Sequence, residues 1–147
     1  MFKKILCAID GSIHALRAAE LASGLAAEHG ATLTFLTVTK EFKVTDELKR
    51  FIQLENLAGE PQYVLDEFTE DMLQKARDAA REAKVTDFDT LVRIGPPART
   101  IVAEADRGGY DTVVLGSRGQ GDPEAFMLGS VSHKVANLAK GTVIVVK

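Results

Sequence analysis

The residues with chemistry to offer gather between Asp111 and Ser132, in DTVVLGSRGQGDPEAFMLGSVS. Gly116, Gly119 and Gly129 punctuate that stretch, and Ser117, Ser130 and Ser132 add hydroxyls. Glycine admits backbone angles that a side chain forbids and lets main-chain N–H groups come close to a ligand. An amphipathic segment begins at Ser130, and at a helix start free N–H groups and the positive end of the dipole favour an anion. Two readings stand side by side: a cradle for a nucleotide phosphate, or a glycine-rich surface connection. Asp10-Gly11-Ser12, after the first apolar run, is a second candidate, as a ligand contact or as a plain turn initiator.

The elements that position these residues are legible from periodicity. Lys3 to Asp10 is a nearly continuous apolar run closed by an acid and Gly11, the pattern of a strand buried on both faces. Ser12 can cap a helix with Ala15, Ala18, Leu21, Ala22 and Leu25 inward and His29-Gly30 as its stop. Ala31 to Thr39 is β-branched and aromatic, a second strand. Residues 40–62 read as a short helix, with Thr45 as cap and Leu48, Phe51 and Ile52 on one face before Gly59 and Pro61, or equally as a flap. From Leu65 a long amphipathic helix is predicted, with Leu65, Phe68, Met72, Ala76, Ala79 and Ala83 inward.

Asp89 to Ile94 is a short strand, and Gly95-Pro96-Pro97 is a turn that opens a helix with Ile101, Val102 and Ala105 inward. Gly108-Gly109 ends that helix, and the run through Val113, Val114 and Leu115 leads into the glycine loop. A helix with Val131, Val135, Leu138 and Ala139 inward follows, then a last strand, Thr142 to Val146. Strands alternating with helices predict an α/β fold: a single five-stranded parallel sheet, right-handed crossovers and helices on both faces. In such sheets ligands bind beyond the carboxyl ends of the strands, where strand order reverses. With the order 3-2-1-4-5, the loops after Asp10 and around Gly116 face one crevice.

A length of 147 residues suits one domain, 1–147. The composition, 46% hydrophobic and 27% charged, is that of a globular chain. No apolar run approaches the ~18 residues of a membrane span, and MFKKILCAIDGS reads as a strand rather than a targeting segment, so a cytoplasmic location is expected. With 18 basic against 21 acidic residues, a net charge of −3 and no basic block, nucleic acid is not an expected partner. Cys7 falls in the first apolar run as a buried thiol, and the three histidines lack partners at metal-ligand spacing. No nucleophile with a base beside it and no paired carboxylates stand out, so binding is expected ahead of catalysis.

Three phosphate-binding patterns compare poorly with the loop. A P-loop needs a lysine and a hydroxyl residue where Asp122 and Pro123 stand. The dinucleotide fingerprint wants several glycines after the first strand, where only Gly11 is present. A phosphoacceptor receiver needs an aspartate after the third strand, which ends in Arg93-Ile94-Gly95. The spacing Gly116-x-x-Gly119, nine residues, then Gly129-Ser130, together with Asp10-Gly11-Ser12, resembles the ATP-binding branch of the universal stress protein family over essentially the whole chain.

That resemblance implies a five-stranded α/β fold, a homodimer through the last strand, Thr142 to Val146, and ATP in the crevice. Matched residue by residue, it implies Ala8 and Asp10 beside the adenosine moiety and Val38 at the adenine edge. It implies Gly116, Ser117, Arg118 and Gly119 around the ribose and first phosphates, and Gly129, Ser130, Val131 and Ser132 around the outer phosphates. Ser130 has a second reading as a helix cap, and Arg118 as a solvated loop residue. Asp122 and Glu124 set two negative charges near the implied triphosphate, which calls either for a bridging magnesium or manganese ion or for weaker phosphate affinity. Ala8 replaces a proline common in the family, and Lys140-Gly141 stands where Cys-Pro is usual. Three functions follow from this: an ATP-binding regulatory protein of the stress response acting on an unidentified protein partner, a nucleotide-free dimeric interaction module, and a slow ATPase.

Overall fold

The computed structural model describes residues 1–40, 50, 61–118 and 127–147. The expected helix or flap around Thr45, Leu48, Phe51, Ile52 and Gly59 therefore lies outside the described residues, as do Gly119, Asp122 and Glu124. The chain runs β1 (Lys4–Ala8), α1 (Ile13–His29), β2 (Thr32–Thr39), α2 (Pro61–Glu82), β3 (Phe88–Ile94), α3 (Pro97–Gly108), β4 (Thr112–Gly116), α4 (Ser130–Leu138) and β5 (Thr142–Val146). The five strands form one parallel sheet in the order β3-β2-β1-β4-β5. The α/β fold and its 3-2-1-4-5 order are those expected.

Alternation along the central strands feeds two separate cores. Ile5, Cys7, Leu33, Phe35 and Val114 pack on one face against Ala18, Ala19 and Ala22 of α1 and Leu73, Ala76 and Ala80 of α2. Leu6, Leu36, Val113 and Leu115 pack on the other against Ala98, Ile101 and Ala105 of α3 and Val135 of α4. Burying a side chain such as Leu36 contributes about 1.5–3 kcal/mol, and both faces are covered, as a parallel sheet requires. Cys7 lies fully buried at the centre of this sheet.

Several local expectations are corrected. β1 ends at Ala8, two residues before Asp10, because the Asp10 carboxylate accepts a hydrogen bond from Ser12 N–H at 2.9 Å and turns the chain there. α2 starts at Pro61, four residues before Leu65, as proline needs no N–H partner in a first turn. Leu21, Phe68 and Leu138, expected inward, are 42%, 48% and 53% exposed. The inward face of α1 is instead an alanine stripe, Ala15, Ala18, Ala19, Ala22 and Ala26, which lets the helix axis lie close to the sheet.

Candidate functional site

The strand order reverses between β1 and β4, so their carboxyl ends open into a shared crevice. Ala8 pairs in register with Leu36 of β2 on one side and Leu115 of β4 on the other. That row floors a cavity of about 360 Å³, walled by Val38 and by Pro97 and Ile101 of α3. Asp10, Arg118, Gly129, Ser130, Val131 and Ser132 complete its lining. The volume falls in the range of small-molecule sites, roughly 300–1,000 Å³.

Local hydrogen bonds explain why these segments meet. The Ser12 hydroxyl accepts from Ala15 N–H at 3.1 Å, capping α1, and donates to the Arg118 carbonyl at 3.3 Å. Gly116 permits the contact: a Cβ there would lie 2.8 Å from the carbonyl carbon of His14 and 2.9 Å from the Ala15 nitrogen. The Ser117 carbonyl accepts Gly129 N–H at 2.7 Å and the Ser132 hydroxyl at 2.8 Å, a clasp that ties the end of β4 to the start of α4. The Arg118 guanidinium donates to the Met127 carbonyl across the same gap.

Of the residues singled out from sequence, Ala8, Asp10, Val38, Gly116, Arg118, Gly129, Ser130, Val131 and Ser132 line the crevice. Ser117 does not; it is buried, its N–H donating to Val146 and its hydroxyl 3.3 Å from His14 Nδ1. Gly119 lies outside the described residues. Sequence reading missed Ile9, Ala15, Leu36, Pro97, Ile101 and Leu115. For Leu36 and Leu115 the usable signal was their place near the carboxyl ends of strands flanking β1, but their row depends on register.

The two alternative roles for side chains resolve differently. Gly129, not Ser130, is the N-cap of α4, and no side chain caps that helix, so Ser130 is its first residue rather than its cap. Ser130, Val131 and Ser132 of its first turn line the crevice, which places the positive helix end beside it. Arg118 is engaged rather than merely solvated. The Ser117–His14 pair brings a hydroxyl near an imidazole, but with Ser117 buried off the crevice it joins β4 to α1 and presents no nucleophile to a ligand. Among the described residues no group of three or more histidine, cysteine, aspartate or glutamate side chains could hold a metal ion. No helix among them is long and apolar enough to cross a membrane.

The crevice therefore combines an apolar floor, a carboxylate and an arginine at the rim, and an open helix N-terminus. The sequence model of the Universal stress protein family matches residues 1–147. The chain is 35% identical to universal stress protein YxiE of Bacillus subtilis, with 100% of each chain covered. It is 37% identical to the universal stress protein in the QAH/OAS sulfhydrylase 3'region of Thermus aquaticus, again over 100% of each. A crystal structure of a universal stress protein in complex with cAMP superposes with a TM-score of 0.72 at 27% identity, covering 99% of this chain and 96% of that one.

Proposed function

The chain belongs to the universal stress protein family, and on that premise we propose that its crevice holds an adenine nucleotide, ATP, whose occupancy regulates a cytoplasmic stress-response function. The observation that carries this reading is the convergence, in one cavity, of an apolar floor sized for a base and a helix start that no side chain caps. Ala8, Leu36, Val38 and Leu115 would take the adenine; Asp10 would accept from ribose hydroxyls. The N–H groups of Ser130, Val131 and Ser132 would receive phosphate oxygens, helped by the dipole of α4. The Ser132 hydroxyl already donates to Ser117, so its part is to hold the helix start in place. The similar protein crystallised with cAMP supports an adenine ligand.

Bound ATP would supply a phosphate chain whose charge reads out at the crevice mouth; the chain's own residues bind and orient it. Asp122 and Glu124 motivate a magnesium or manganese requirement. Isothermal calorimetry on protein stripped of co-purified nucleotide tests both points. Heat with ATP is expected, stronger with magnesium, and is lost in Gly129→Val, whose Cβ would stand 3.2 Å from the Ser117 oxygen. Absence of heat at millimolar ATP and magnesium refutes the proposal. Phosphate release that scales with protein and persists through purification would move the reading to a slow ATPase.

The proposal includes a homodimer through β5, whose five residues are all half-buried on an edge strand rich in valine and isoleucine. Light scattering on wild type and on Val145→Lys checks it, the variant running as a monomer.

A further inference from the structure

Beyond the crevice, a second groove of about 550 Å³ lies between β3 and the outer side of α3, lined by Arg93, Ile94, Arg99, Thr100, Glu104 and Arg107 among others. Three arginines face one acid. Glu104 is buried, and its Oε2 receives Arg93 Nε at 2.9 Å and also the Arg107 guanidinium. It cancels one charge and fixes two guanidinium planes, leaving most of their N–H donors outward. Arg99 is exposed and has no ion pair among the described residues. The groove therefore carries about two positive charges on a chain whose net charge is −3.

We propose that this groove docks an extended acidic peptide segment of a protein partner, with Arg93, Arg99 and Arg107 receiving its carboxylates. Arg99 and Arg107 are separated by two turns of α3, about 12 Å along the axis. A single small anion cannot bridge that distance. In an extended peptide, residues on one face recur about every 7 Å, so acids four residues apart stand about 13 Å apart, a close match. β3 supplies the rest of the surface: among the described strands it pairs only with β2, and Ile94, which lines the groove, is 71% exposed. A peptide beside it gains main-chain hydrogen bonds and apolar contact. Nucleic acid fits less well, since it rewards a broad basic stripe rather than three arginines on a chain of net charge −3.

The groove is independent of the nucleotide proposal, because α3 turns Pro97 and Ile101 to the crevice and Arg99 and Arg107 to the groove. Fluorescence anisotropy with a fluorescein-labelled decapeptide of alternating glutamate and valine, on the full chain without nucleotide, tests it. Saturable binding is expected, weakened about tenfold by Arg99→Glu, by Arg107→Gln and by replacing the peptide's glutamates with glutamine. Binding should fade with salt and be untouched by Gly129→Val. Arg99→Glu removes no native ion pair among the described residues, so its unaltered thermal melt keeps the comparison clean. No saturation at millimolar peptide, or indifference to Arg99→Glu and to the glutamine peptide, overturns the proposal. Tighter, Arg99-dependent binding of an oligothymidine overturns it in favour of nucleic acid.

Discussion

Glu104 shows how burial and charge compete at a single side chain. Desolvation pushes its carboxyl pKa up, but hydrogen bonds and charge from Arg93 and Arg107 outweigh burial and hold it below the ordinary glutamate value. Asp111 behaves alike: burial raises it, while Thr112, the Lys4 and Lys3 N–H groups and the N-terminal charge lower it further. A pKa depressed on folding contributes stability that is present above the unfolded value and lost as pH falls through the folded one. Urea midpoints should therefore drop as pH falls below about 4, and Glu104→Gln should flatten that decline. At this scale the sequence revealed residue types but not their partners. Asp10, Gly116 and Ser130, singled out from spacing, line the crevice; the Ser117 carbonyl, which ties β4 to α4, was not singled out, because a backbone acceptor leaves no mark in a residue pattern.

Helix α1 ties two sites of this fold together through one residue. Ser12 caps it and also reaches Arg118 at the crevice rim. Ser12→Ala should cost about 1 kcal/mol, read from chemical denaturation, and should loosen the Arg118 segment enough to weaken the proposed nucleotide binding as well. The cap was legible because serine before a helical period has one common use. The ends of elements were less so. Pro61, grouped with Gly59 at the close of residues 40–62, begins α2, since proline is excluded from helix interiors and accepted in a first turn. Leu21 fits the helical period yet faces outward, because the adjacent stripe of alanines wins the close contact with the sheet.

Across the whole molecule, the parallel α/β sheet followed from alternation of elements, whereas register did not. The row of Ala8, Leu36 and Leu115 that floors the crevice exists only once three strands are aligned, and no single segment encodes that alignment. The same central position has a use for Cys7, the one cysteine of the chain, fully buried, its thiol held protonated by desolvation. A thiol reagent can reach it only when β1 leaves its neighbours on both sides. Labelling should be absent under native conditions and complete in urea, and its rate in between should track how often the sheet opens. If the crevice is occupied, added ATP should slow that reaction, and an acidic peptide on the far side of α3 should slow it separately. The protein thus carries an intrinsic clock at its centre, readable by any reagent that absorbs on meeting sulfur.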